Sequence, residues 1–291
     1  MERGCGLLKL IVAIPAFNEE DVLSSVLKNL RRNLSKERDC QILVVNDGST
    51  DNTKNVAIAS GADIVVSHKK NRGVAQAYRT AIRAALEFGA DIICTIDGDG
   101  QFDCREIPSL IEPIKAGKAD LVIGSRFIDS KLSMNIPTMN RVFNKLMAML
   151  VSLIIRKQIH DTESGFRAIS KTAAADLNLL GLVSFSNDMI LDVSAKKHKI
   201  MEVPVTVKYY DERVSRVIKG FVKYGFKSLC LIVLKCLSLK FSVNPFSSNY
   251  PSIEVVKISN DNVTTITSEG NKFDSPLLIK SQQRESVEAL D

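Results

Sequence analysis

The chain has 291 residues, 45% of them hydrophobic and 6% aromatic, with a formal charge of +6. There is enough apolar material for one large core, and too few aromatics among the basic residues for a groove that stacks single-stranded nucleic acid, so no nucleic-acid partner is expected. Six scattered cysteines without a CxxC pair and three separated histidines argue against a disulfide framework and a histidine-rich metal centre, while the positive charge favours an anionic partner.

Met1 to Lys9 is too short for a signal peptide and runs straight into a strand pattern at 10–16, which ends at Pro15. Asn18-Glu19-Glu20 then opens a segment with Val22, Val26, Leu27 and Leu30 on one face, the pattern of a helix over 17–32 with acid in its first turn. A strand at 41–46 runs through the turn Asp47-Gly48-Ser49-Thr50-Asp51 into a helix near 52–60. A short strand at 63–67, a helix over 73–88 and a strand at 91–96 follow. Strict alternation with continuous apolar strands predicts a mostly parallel sheet with helices on both faces. Ligands bind such sheets at the carboxyl ends of the strands, where Pro15, Asp47 and Asp97 all fall.

The second half is less regular. A helix is expected over 106–116, a strand at 120–123 ending in Gly124-Ser125-Arg126, and a long helix over 137–155. A polar loop at 160–166, helices at 171–179 and 187–197, and a strand at 202–209 come next. Residues 219–241 form a helical pattern that is apolar except for a stripe of Lys227, Ser228, Lys235 and Ser238. That stripe reads as an interfacial membrane helix whose lysines meet anionic headgroups, with packing on the domain or on a partner chain as the alternative. Beyond 246 the chain is polar, with weak strand patterns at 253–258 and 263–267 before a disordered end. The expected organisation is a catalytic domain over 1–217, an interfacial helix over 218–243 and a polar tail over 244–291.

The chemistry concentrates at Ile92-Ile93-Cys94-Thr95-Ile96-Asp97-Gly98-Asp99-Gly100-Gln101. Two carboxylates one residue apart, flanked by glycines at a strand end, can turn toward one point and seat a hard cation, Mg²⁺ or Mn²⁺; Gln101 adds another oxygen. The structural alternative is a cap or Asx-turn. Asp47 could meet a nucleobase edge or cap the next helix, a role that suits Asp51 better. Arg72 could meet a phosphate or stand solvated beside its turn. Arg126 can grip a phosphate in bidentate fashion, and Arg141 follows in the long helix. Asp161 could face the sugar or the attacking group, or close a local turn. Arg213 and Arg216 add positive charge after the strand at 202–209. No GxGxxG, GxxxxGK[ST] or GxSxG motif occurs, which argues against dinucleotide-binding, P-loop and hydrolase chemistry.

Taken in order, Val12-Ala13-Ile14-Pro15-Ala16-Phe17-Asn18-Glu19-Glu20, the run Val44 to Thr53, Asn71-Arg72-Gly73 and Asp97-Gly98-Asp99-Gly100-Gln101 resemble the signatures of inverting family 2 glycosyltransferases. Gly124-Ser125-Arg126 and Asp161-Thr162-Glu163-Ser164-Gly165-Phe166-Arg167 resemble the dolichyl-phosphate (polyprenyl-phosphate) mannosyl- and glucosyltransferase branch. The resemblance, over about residues 10–215, implies a GT-A fold, a Rossmann-like α/β sheet, and a metal-dependent transfer of a hexose from GDP-mannose or a UDP-sugar to a polyprenyl phosphate. It implies that Pro15, Glu19 and Asp47 line the nucleoside pocket. Asp97, Asp99 and Gln101 would hold the cation and diphosphate; Arg126, Arg141 and Arg213 would bind the lipid phosphate and the leaving diphosphate. Residues 127–136 would form an acceptor loop, and the enzyme would be peripheral on the cytoplasmic face of a membrane. The chain departs from the family pattern at Asn46-Asp47, where an acidic pair is usual, and at Arg213-Val214-Ser215-Arg216, where Arg-x-Gly-x-Ser-Lys is usual. Two other readings stand beside this one: transfer to a glycan or protein hydroxyl with Asp161 as base, and a non-enzymatic scaffold that docks protein through 219–241.

Overall fold

The structure, a computed structural model, describes residues 8–35, 37, 39–180, 184–208, 221–241, 253–259 and 262–268. In chain order the elements are β1 (Leu10–Ala16), α1 (Glu20–Asn33), β2 (Cys40–Asn46), α2 (Thr53–Ala59), β3 (Ile64–His68), α3 (Val74–Glu87) and β4 (Ile92–Thr95). There follow α4 (Ile107–Lys115), β5 (Leu121–Ser125), α5 (Thr138–Ile155), β6 (Arg167–Ser170), α6 (Lys171–Asp176), α7 (Phe185–Ala195), β7 (Ile200–Pro204), α8 (Phe221–Phe241), β8 (Ile253–Ser259) and β9 (Asn262–Ser268). One sheet runs in the order β7-β5-β6-β4-β1-β2-β3-β8-β9.

Its centre, β4-β1-β2-β3, is parallel, as the alternation predicts. Side chains alternate across the sheet. Ile11 and Ala13 of β1 pack with Tyr78 and Ala81 of α3 and Met189 of α7, while Leu10, Val12 and Ile14 pack with Leu23 and Leu27 of α1 and Leu110 and Ile111 of α4. Both faces are therefore buried, and the carboxyl ends of the central strands open on a single edge.

Three features depart from the expectations. First, β6 lies antiparallel between β4 and β5, with Arg167 opposite Thr95 on one side and Ile123 on the other. The insertion carries the 161–166 loop between the end of β4, where Asp97 stands, and the end of β5, where Arg126 stands. A four-residue strand leaves almost no periodicity to read. Second, β8 continues the sheet antiparallel to β3, with Val256 opposite Val65, and β9 pairs on β8, so part of the expected tail is a hairpin on the main sheet.

Third, most of the polar stripe of α8 packs against the protein instead of facing headgroups. Of its polar stripe, Lys227 is exposed, but Ser228, Lys235 and Ser238 are buried against the protein, and Leu229, Val233, Leu234 and Leu237 face outward. Leu231, which interrupts that stripe, is 1% exposed. The cause is a pair of aspartates one helical turn apart on α7. Lys235 Nζ lies 3.0 Å from Asp188 Oδ1 and 2.8 Å from Asp192 Oδ1, and it donates to the Asn178 carbonyl at 2.6 Å. Periodicity detects a stripe but not the buried counter-charge that claims it. Lys235→Met removes the lysine's ion pairs to two buried carboxylates and should cost about 3–5 kcal/mol, read as a lower urea midpoint, with part of the loss recovered when Asp188→Asn is added.

α5 also presents apolar residues outward: Met139, Val142, Leu146, Met149 and Leu153, the last 77% exposed. Among the described residues it is the one helix long and apolar enough to cross a membrane. It nevertheless packs on the domain through Asn144, Ala148 and Val151; Asn144 donates to the His160 carbonyl at 2.7 Å and accepts the Thr162 amide at 3.0 Å. A Cβ added at Gly225 of α8 would stand 3.3 Å from the Phe143 ring of α5, so the two helices touch there.

Candidate active site

The acidic turn leaves β4 against the end of β1. A Cβ on Gly98 would lie 3.2 Å from the Pro15 carbonyl oxygen, so the chain passes close to β1 as it turns. The Asp97 carboxylate accepts a short hydrogen bond from the Tyr78 hydroxyl of α3. Across from it stands Gly165, where an added Cβ would sit 2.6 and 2.7 Å from the two Asp97 oxygens; the loop reaches this carboxylate only because residue 165 has no side chain. Thr95 holds the loop by donating to the Gly165 carbonyl at 2.8 Å. Asp99 Oδ1 accepts the Gln101 amide at 3.0 Å, the Asx geometry weighed above, and the Gln101 carbonyl accepts the Lys208 amide at 2.9 Å. Asp99 and Gln101 line a cavity of about 730 Å³ on the α1 side of the turn, with Arg32, Arg105 and Lys208 around it, whereas Asp97 faces α3.

Arg126 and Asp161 form a closed pair. Arg126 donates to Asp161 from Nε at 2.7 Å, Nη2 at 2.9 Å and its own amide at 3.0 Å; the amides of Glu163 and Ser164 add two more bonds at 3.1 Å. Asp161 is 0% exposed. Burial pushes its pKa up, but the Arg126 charge and these donors outweigh burial and hold it below the ordinary carboxylate range. Asp161 is thus enclosed, and it holds Arg126. The Arg126 side chain is 14% exposed, and its charge lowers the pKa of Asp97.

Asp47 is likewise enclosed, 2% exposed. Its oxygens accept the amides of Arg72 at 3.0 Å and Gly73 at 2.8 Å, and His68 Nδ1 lies 2.6 Å from Oδ1. His68 Nε2 meets Thr80 Oγ1 at 2.9 Å. This carboxylate pins the 70–73 loop over the end of the sheet. Asp51 accepts the Thr53 amide at 3.0 Å and caps the start of α2. Pro15 and Glu19 are half-buried beside the turn, with the Glu19 amide donating to Thr53 Oγ1 at 2.8 Å. Arg141 lies in the first turn of α5 and donates to Thr138. Arg213 and Arg216 lie outside the described residues.

Sequence reasoning missed His68, Tyr78 and the part played by Arg167. The first was within reach: β2 and β3 run parallel with Asn46 opposite Ser67, which sets Asp47 beside His68. Arg167 is 1% exposed and donates to the carbonyls of Ser164, Thr162 and Ser186 at 2.8, 3.0 and 2.8 Å; burial pulls its pKa down to about 10, and it stays charged at neutral pH. Tyr78 carried no signal beyond a helical apolar position.

Asp97 and Asp99 stand on one turn, an oxygen pair of the kind a hard cation takes, and the Asp99 charge acts on Asp97; among the described residues no group of three or more His, Cys, Asp or Glu gathers around a metal site. Burial, and then the Asp99 charge, push the Asp97 pKa up to about 6 against the opposing influence of Tyr78, Arg126 and Arg167. A carboxyl raised in this way stabilises the folded metal-free protein below its ordinary pKa of about 4, and that contribution is lost as pH rises through about 6. A cation seated on this carboxylate would replace the proton, and the rise in thermal midpoint on adding Mn²⁺ should then grow between pH 5 and 7. Asp97→Asn should flatten that pH dependence.

Residues 11–177 match the model of the family described as "Glycosyl transferase family 2". The UDP-N-acetylglucosamine–dolichyl-phosphate N-acetylglucosaminyltransferase of Methanococcus voltae is 32% identical over 75% of this chain and 93% of its own length. The undecaprenyl-phosphate mannosyltransferase of Micrococcus luteus is 27% identical over 74% of this chain and 90% of its own. Among solved structures, glucosyl-3-phosphoglycerate synthase from Mycobacterium tuberculosis, in complex with Mn²⁺, UDP and phosphoglyceric acid, superposes with a TM-score of 0.57 at 20% identity, covering 90% of this chain and 87% of that one. Strand order, acidic turn and relatives converge: the chain belongs to glycosyl transferase family 2 and is a glycosyltransferase with a GT-A-like fold.

Proposed function

We propose that the protein transfers a hexose from GDP-mannose or a UDP-sugar to a polyprenyl phosphate, with inversion at the anomeric carbon. The observation that carries this reading is the state of Asp161. A hydroxyl acceptor must lose a proton to a base, and the carboxylate expected to take it is buried, fully hydrogen-bonded and held below the ordinary range. A phosphate oxygen is already anionic at neutral pH and needs no base. It attacks the anomeric carbon, the new C–O bond forms as the bond to the diphosphate breaks, and no proton moves. Arg126, oriented by Asp161, supplies positive charge beside the acidic turn, and Arg141 and Arg213 are assigned to the lipid phosphate and the leaving diphosphate. Asp97, Asp99 and Gln101 would hold a Mg²⁺ or Mn²⁺, which when bound neutralises charge on the departing diphosphate. The relatives from Methanococcus voltae and Micrococcus luteus, whose names specify lipid-phosphate acceptors, support the acceptor class.

The outward faces of α5 and α8 support a peripheral membrane site, reached through the leucines of α8, with Lys235 turned inward. Met149, Leu153, Leu229, Leu234 and Leu237 are exposed on touching helices. Leu229→Gln with Leu234→Gln, and Met149→Gln with Leu153→Gln, should each reduce sedimentation with anionic liposomes while leaving the thermal midpoint in place. Unaltered sedimentation would remove the membrane contact from this account.

The reaction itself is tested with a panel of GDP- and UDP-sugars, a short polyprenyl phosphate, and Mn²⁺ or Mg²⁺ with and without chelator. Chelator-sensitive transfer to the lipid phosphate is expected. Transfer to a glycan hydroxyl with none to the lipid would overturn the acceptor.

A further inference from the structure

Two elements meet at the Asp97 carboxylate, and a third braces them. Tyr78 reaches it from α3, 1% exposed, with its hydroxyl on Asp97 Oδ1 and 3.5 Å from the Gly165 carbonyl oxygen. Its ring is stacked on Phe185, the first residue of α7, with centroids 3.5 Å apart and planes 9° from parallel. Phe185 in turn lies under the Arg167 guanidinium, 5.6 Å from the ring centroid. That guanidinium ties Thr162 and Ser164 of the loop to Ser186 of α7 through their carbonyls. The α3 helix, the 161–166 loop and the first turn of α7 are thus bound into one support whose end is a single hydroxyl.

We propose that Tyr78 is a positioning residue for the cation seat: its hydroxyl, aimed by the stack on Phe185, fixes the Asp97 carboxylate in the orientation that receives a divalent cation. An aspartate at the end of a strand rotates about two bonds, and a seat made of two carboxylates and one amide oxygen has little else to absorb that freedom. A donor on one oxygen removes it, in the way outer partners orient ligands in other metal sites. A phenol suits the task because it is a neutral O–H donor on a rigid ring. Gly165 closes the other side, where any side chain would run into the Tyr78 oxygen and both Asp97 oxygens. Asp97 must itself be a cation ligand for this role, as read under the proposed function.

The test is Tyr78→Phe in the full chain, which keeps the ring and its stack and removes only the donor. Mn²⁺ binding is followed by electron paramagnetic resonance, alone and with UDP or GDP added. Wild type should bind, and the variant should bind about tenfold more weakly. In turnover the apparent KM for Mn²⁺ should rise while kcat at saturating Mn²⁺ stays within about twofold of wild type, the split expected when a second-sphere partner of a ligand is lost. Wild-type Mn²⁺ affinity in a folded Tyr78→Phe protein would overturn the proposal and leave the cation seat standing. No Mn²⁺ binding by the wild type would overturn both.

Should the variant not fold, the wild type answers directly. The chain has five tyrosines and no tryptophan. After labelling with 3-fluorotyrosine, one of the fluorine resonances should shift with Mg²⁺ and be the one most broadened by Mn²⁺. Five resonances indifferent to a bound cation would refute the role.

Discussion

Exchanging Asp97 for Asn should lower sugar transfer by about 10²–10³-fold and, at the same time, raise the thermal midpoint of the metal-free protein at pH 7. The two effects share one cause. Asn has the size of Asp and can still accept from Tyr78, so the packing around Gly165 survives. What disappears is a negative charge that burial and Asp99 disfavour in the folded state, as the rise of its pKa to about 6 records. Removing it relieves the apo fold above that pH and, on the proposed reading, takes from the site a ligand for the cation. Initial rates at saturating donor and a thermal melt in chelator measure the two arms. A lower midpoint in the variant would show that the carboxylate supports the fold, and the cation reading would lose its physical basis.

Asp161→Asn should act in the opposite sense, costing about 3–5 kcal/mol of stability together with activity. Asp161 is the counter-charge of Arg126 at the end of β5, and an amide there cannot accept from Nε, Nη2 and the amides of residues 126, 163 and 164 at once. Arg126 then keeps its charge in a largely buried place without the partner that aims it. Urea midpoints measure the loss of stability. The pH dependence of kcat/KM separates the two chemical readings. An orienting Asp161 leaves the shape of the profile unchanged at a lower rate. A general base at this position would instead take the acidic limb of the profile with it and leave the fold intact.

The two variants separate what local sequence can declare from what packing assigns. The parallel centre of the sheet was legible because β1 to β4 are buried on both faces and read as unbroken apolar runs between amphipathic helices. The acidic turn was legible because its spacing and glycines lie within five residues of chain. The direction in which a polar group is used was not. Asp47 and Asp161 have the same appearance in the sequence as Asp97, yet the first two are enclosed by donors brought from 21 to 35 residues away or more locally by their own loops, while burial and Asp99 raise the pKa of Asp97.

The same holds for α8. Its sequence determines a helix with one polar stripe, and an isolated helix with that stripe would set its lysines toward water or headgroups. Asp188 and Asp192, more than 40 positions earlier, reverse it by offering Lys235 a buried pair of negative charges, and the leucines are turned outward as a result. The four-residue β6 and the hairpin of β8 and β9 take their places by pairing with strands already formed, which short or weakly patterned segments do not announce. By itself, then, the sequence determined the parallel α/β core and the place of the acidic turn, because periodicity and spacing act over neighbouring residues. The tertiary structure alone decided which carboxylates are occupied, which tyrosine supports the turn and which face of α8 is outside, because those depend on partners that only folding brings within hydrogen-bond distance.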